Sequence, residues 1–118
     1  MDTNPPPAGV ARFGQSATGD HVECVTLVGG GLTASVLTRG VTLHGLWPEA
    51  IGFSVTQACD NLRDYERAGG YPGALVGPVA NRITGARATV DGKPCRFEAN
   101  EAGQTTLHSG ATGIHAQI

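Results

Sequence analysis

Ala86-Arg87-Ala88-Thr89-Val90-Asp91-Gly92-Lys93-Pro94-Cys95-Arg96-Phe97 is the stretch whose reading decides the fold. Two short runs, residues 86–90 and 94–97, flank Asp91-Gly92. That dipeptide best supplies the two positive-φ positions of a type I′ turn, so the stretch predicts a β-hairpin. The whole chain is built for turns of this kind: it carries 18 glycines in 118 residues with no collagen-like period. Such a composition favours an all-β fold.

Toward the N-terminus, His21-Val22-Glu23-Cys24-Val25-Thr26-Leu27 alternates polar and apolar residues, the period of a strand with one buried face. Gly29-Gly30-Gly31 follows as a turn. The runs at residues 32–39 and 41–47, separated by Gly40, are rich in β-branched residues and predict two strands of a meander. A further strand is expected over residues 51–56, after a turn at Pro48. Residues 60–68 form the one convincing helical stretch, with an Asp or Asn available as N-cap and Gly69-Gly70 as a stop. Residues 1–21, rich in Pro, Gly, Ala and Thr, are expected to be an irregular arm, leaving 22–118 as the folded portion.

On the C-terminal side of the hairpin, residues 100–113 are polar and glycine-dotted and read as a loop, with a strand beginning at Ile114. His115-Ala116-Gln117-Ile118 resembles the opening of an alternating strand, which leads us to expect a truncated sheet.

Composition narrows function by exclusion. A formal charge of −2 and a single lysine, Lys93, give no basic stripe for nucleic acid. No run approaches the roughly 18 apolar residues a membrane helix needs, and the start lacks a signal-peptide pattern, so a cytoplasmic location is expected. Cys24, Cys59 and Cys95 are odd in number and far apart, which reads as reduced thiols rather than a zinc site. Gly29-Gly30-Gly31 has neither the spacing nor the lysine of a phosphate loop, and no serine sits in a G-x-S-x-G elbow. Asp60, Asp64 and Glu66, with Arg63 and Arg67 beside them, read as the exposed face of a short helix. His44 and His115 lie in presumptive strands and read as structural.

The functional candidates are Asn81, Arg82 and His108, all in glycine-rich, irregular segments where binding residues concentrate. Arg and Asn offer fixed hydrogen-bond donors suited to sugar hydroxyls, and a neutral His both donates and accepts. A structural role for each, tying a loop to a carbonyl, is the competing reading.

Gly77-Pro78-Val79-Ala80-Asn81-Arg82-Ile83, the Asp91-Gly92-Lys93 hairpin, Asn100-Glu101 and Leu107-His108-Ser109-Gly110 occur in an order and spacing that resembles the aldose 1-epimerase (galactose mutarotase) family. Asp60-Asn61-Leu62-Arg63-Asp64-Tyr65 resembles that family's F-D-N-L-x-x-Y stretch, so the likeness runs from about Val22 to the end. Pro78, where many members have Arg, and Ser109, in place of the first Gly of an L-H-G-G loop, depart from the pattern.

The resemblance implies part of a large antiparallel β-sandwich (supersandwich) with one short helix. It also implies acid-base interconversion of α and β anomers of an aldohexose, with no metal or organic cofactor. Asn81, Arg82 and His108 match the family's sugar-contacting positions. The proton-transferring Glu and His fall later in family sequences, beyond Ile118, so no catalytic residue is assigned and the chain alone is expected to be inactive. A monosaccharide is the expected partner, with neither nucleic acid nor membrane; preferred aldose and oligomeric state stay open. A non-catalytic carbohydrate-binding or sugar-sensing relative on the same fold is the alternative, and a small structural β domain a third.

Overall fold

The computed structural model describes residues 4–118. Residues 4–75, with Ile118, gather into one compact unit and Val76–Gln117 into a second.

The first unit is an antiparallel meander of β1 (Gly9–Gln15), β2 (His21–Gly29), β3 (Leu32–Leu37) and β4 (Thr42–Pro48), in that spatial order. Gly30 and Gly31 turn β2 into β3 at φ +58° and +76°, a backbone region that glycine enters without steric cost. Between β3 and β4 a short 3-10 turn at Arg39–Val41 takes Gly40 to φ +62°. Alternation along β2 and β3 gives one buried face, but that face takes hydroxyl residues as well as apolar ones, and Leu27, expected on it, is exposed. Val22, Thr26, Ser35 and Leu37 are buried, and the register sets Thr26 opposite Ser35 and Cys24 opposite Leu37. The two buried hydroxyls satisfy each other, Thr26 Oγ1 lying 2.9 Å from Ser35 Oγ.

The irregular arm expected over residues 1–21 is corrected: β1 occupies Gly9–Gln15 and pairs along β2, while residues 1–3 of that arm lie outside the described residues. Its composition is a poor strand former, but the free edge of β2 offers a row of backbone partners, and pairing overrides propensity. A bulge between Arg12 and Gly14 leaves Phe13 without a register partner. Its ring stands edge-on to His44, with centroids 4.9 Å apart. At the adjacent Gly14 a Cβ would come within 3.1 Å of the Leu62 Cβ, so glycine lets the helix approach the strand.

That helix, α1 (Leu62–Arg67), starts where the sequence places it, with Asn61 Oδ1 accepting the Asp64 N–H at 3.0 Å. Leu62 and Tyr65 join Val22 and Leu37 in the core, with Phe13, Cys24, Ala58 and Cys59 around them. On β4 the Trp47 indole lies over Gly45, where a Cβ would collide with the six-membered ring. The strand expected over residues 51–56 does not form. Val55 N–H reaches Leu46 C=O, but the Ser54 hydroxyl takes the Leu46 N–H at 3.1 Å, so a side chain replaces the ladder's return bond.

In the second unit β6 (Arg87–Val90) and β7 (Lys93–Arg96) make the hairpin, with Asp91 at φ +50° and Gly92 at +75°. Both turn residues carry the positive φ of a type I′ turn. A separate pair, β5 (Arg82–Ile83) with β8 (Thr106–Leu107), joins segments distant in sequence. The strand expected from Ile114 is instead a 3-10 turn, Ile114–Ala116. The Ile114 N–H goes to Gly77 C=O, and Ala116 and Gln117 bond back to Gly113 and Ile114. These local bonds consume the backbone groups a strand would have paired. No helix among the described residues is long and apolar enough to cross a membrane.

Candidate functional site

The second unit brings Asn81, Arg82 and His108 together. Arg82 pairs with Leu107 across β5 and β8, which sets Asn81 and His108 side by side just outside the ladder. They hold each other by two bonds: the His108 N–H donates to Asn81 C=O at 3.0 Å, and the Asn81 N–H donates to His108 Nδ1 at 3.0 Å. A backbone N–H can only donate, so Nδ1 is the unprotonated nitrogen and the neutral ring carries its proton on Nε2.

Neighbouring side chains extend this frame. The Ser109 hydroxyl accepts from Val79 N–H at 2.8 Å and donates to Val79 C=O at 3.0 Å. On the other side of β8 the Asn100 amide does the same for Leu107, accepting its N–H at 2.7 Å and donating to its C=O at 3.0 Å. Asn81, His108 and Ser109 all sit at positive φ, +65°, +51° and +68°. Backbone held in this region by non-glycine residues clusters at binding sites, where the surrounding structure over-determines it.

Arg82 is gripped from one side. Its Nε donates to Glu101 Oε2 and its Nη2 to Glu101 Oε1, each at 2.6 Å, a bidentate fork on a carboxylate. Nη1 leans toward Asn81 Oδ1 at 3.4 Å. The hydrogen bonds to Arg82 and its positive charge hold the Glu101 carboxyl below the usual carboxylate range, and the same bonds raise Arg82.

Sequence reasoning passed over Glu101, Asn100 and Ser109 as site components. Glu101 lies 19 residues from Arg82, and only the β5–β8 pairing shows that they meet. The departure at Ser109 is more than one small residue for another, since its hydroxyl stands in for a backbone pair.

The acidic group of the first unit is otherwise occupied. Asp64 accepts from Asn61 Nδ2 at 2.7 Å, and Glu66 accepts from Ala17 N–H at 3.1 Å. His44 Nδ1 lies 2.9 Å from the Tyr65 hydroxyl within the aromatic cluster, a structural contact. Cys24, Cys59 and Cys95 are free thiols.

Relatives and solved structures of known families are similar to the chain, two of each among them. It is 30% identical over 97 residues to bifunctional protein GAL10 of Pachysolen tannophilus, which covers 81% of this chain and 14% of the relative. It is 34% identical over 82 residues to the uncharacterized isomerase YNR071C of Saccharomyces cerevisiae, covering 70% and 23%. Among solved structures, galactose 1-epimerase from Lactobacillus acidophilus superposes with a TM-score of 0.73 at 18% identity, covering 91% of this chain and 31% of that one. That likeness carries the fold, a galactose mutarotase β fold. A GalM/aldose epimerase homologue from C. elegans gives a TM-score of 0.66 at 30% identity, covering 78% and 29%. The chain therefore spans less than a third of the length of each of these proteins. The sequence profile of aldose 1-epimerase matches residues 23–117, nearly the whole folded chain, and the protein belongs to the aldose 1-epimerase family.

Proposed function

We propose that this chain supplies the sugar-positioning part of an aldose 1-epimerase acting on an aldohexose, with Asn81, Arg82 and His108 as substrate-binding residues. The observation that carries this reading is the double tie between Asn81 and His108 beside the clamped Arg82. It directs a guanidinium and an Nε2–H tautomer from one preorganised frame, donors that suit sugar oxygens.

The reaction is acid-base. A base takes the proton from the anomeric hydroxyl and an acid protonates the ring oxygen, so the C1–O5 bond breaks. Rotation at C1 and reversal of both transfers close the opposite anomer. Arg82 and His108 orient the sugar and stabilise charge developing on its oxygens. The proton-transferring Glu and His implied by the family are not placed on any of these residues.

Polarimetry of freshly dissolved α-D-galactose, together with ligand-observed NMR of galactose binding, tests the proposal on the wild-type and Arg82→Ala chains. Binding lost in Arg82→Ala supports the site, and faster mutarotation lost in the same variant shows that the chain also completes the chemistry. Undiminished binding in Arg82→Ala overturns the assignment. A second reading is a non-catalytic carbohydrate binder on the same fold, using the same Asn81, Arg82 and His108 donors without turnover. It predicts binding with no acceleration.

A further inference from the structure

Glu101 is held in place before its side chain is considered. Its N–H donates to Thr105 C=O at 3.0 Å, and its C=O accepts from Gln104 N–H at 3.1 Å and Thr105 N–H at 3.2 Å. This closed turn leads directly into β8, whose partner β5 begins at Arg82. The carboxylate thus reaches the guanidinium from a fixed backbone, and both of its oxygens are used.

Two consequences follow for a ligand of Arg82. The bonds to Nε and Nη2 fix the plane of the guanidinium and commit the edge through which an arginine otherwise grips an oxyanion side-on. The carboxylate also cancels the positive charge. An isolated arginine prefers phosphate or carboxylate, whereas this pair sets a donor beside an acceptor. A sugar hydroxyl, which both donates and accepts, matches that pairing. An anionic group would lie next to Glu101 and meet repulsion.

We infer that Glu101 is a specificity-determining and positioning residue: by clamping Arg82 it tunes the site to uncharged sugar hydroxyls and against acidic sugars. The inference rests on the reading of Arg82 as a sugar contact, and the experiment separates the two.

Wild-type, Glu101→Gln, Glu101→Asp and Arg82→Ala chains, checked for folding by circular dichroism, are titrated with D-galactose and D-galacturonate by ligand-observed NMR. Glu101→Gln is expected to shift the affinity ratio toward galacturonate roughly five- to tenfold at low salt, the effect of one surface charge a few Å away, and the shift shrinks as salt is added. Glu101→Asp, which keeps the charge, retains the wild-type ratio. Equal weakening of both sugars in Glu101→Gln, with the ratio unmoved, marks a merely structural role and overturns the inference. A ratio shifted as far in Glu101→Asp as in Glu101→Gln also overturns it.

Undiminished galactose binding in Arg82→Ala refutes the sugar-site reading instead. A sugar-independent readout covers that case: the Arg82 Nε–Hε resonance is followed during titration with inorganic phosphate. It is expected to move in Glu101→Gln and stay still in the wild type; equal movement in both overturns the charge-cancelling role.

Discussion

Ser109 shows how much one hydroxyl contributes when the backbone around it is strained. At φ +68° a serine costs about 1 kcal/mol or more relative to a relaxed conformation. Its two bonds to Val79 return about 0.5–1.5 kcal/mol each. Ser109→Ala keeps the strain and loses both bonds, so we expect a loss of about 1–3 kcal/mol in urea unfolding followed by circular dichroism. Ser109→Gly loses the bonds but relieves the strain, and is expected within about 1 kcal/mol of wild type. An alanine variant as stable as the glycine one refutes this account. His44 gives a pH prediction of definite sign. Burial lowers its pKa from the ordinary 6.5, opposed in part by Asp60. The folded state therefore resists a proton that the unfolded chain accepts. The resulting stability is fully present above 6.5 and is lost as pH falls from there toward the lowered folded-state value. The melting temperature should drop on acidification through that window, and drop less in His44→Gln. At this scale Asn81, Arg82 and His108 were legible as candidates because binding groups favour glycine-rich irregular backbone. Glu101 was not, because nothing local marks an acid whose partner arrives by strand pairing from 19 residues away.

Elements followed from sequence wherever a local rule was sufficient. Asp91-Gly92 dictated the β6–β7 turn, Gly30-Gly31 the turn between β2 and β3, and Asn61 the start of α1. Because α1 is only Leu62–Arg67, its cap is a large part of what holds it. Asn61→Ala should cost about 1 kcal/mol, measurable as a lower urea midpoint with faster amide exchange in the helix. An unchanged midpoint refutes the capping role. Rules failed where a partner outside the segment decided the outcome. β1 exists because β2 has an edge to fill, and residues 51–56 stay irregular because Ser54 competes for the Leu46 N–H. The alternation at residues 114–118 lost to 3-10 bonds anchored on Gly77 and Gly113.

Across the whole molecule, the buried apolar side chains among the described residues are few: Val22, Leu37, Trp47, Leu62, Tyr65 and Ala86. Large groups such as Val10, Leu27, Val28 and Phe53 are more than half exposed. With so small a core, each member weighs heavily. Leu37→Ala removes a fully buried side chain and should cost about 2–5 kcal/mol. Set against a typical total of about 5–15 kcal/mol, that loss is a large share, and the urea midpoint followed by circular dichroism should fall well below that of the wild type. A variant with wild-type ellipticity and midpoint refutes the weight given to this core. Trp47, folded over Gly45, has a further consequence. It is the one tryptophan of the chain, it is 5% exposed, and its indole N–H has no hydrogen-bond partner among the described residues. Residues 76–117 contain neither tryptophan nor tyrosine. Intrinsic fluorescence therefore watches only the meander, from a dry site that reddens when water reaches the ring, while the segment bearing Asn81, Arg82 and His108 adds no tryptophan or tyrosine emission and shows only in the ellipticity. The protein carries its own internal control: emission and ellipticity that melt together report one cooperative transition, and emission that melts alone times the meander separately.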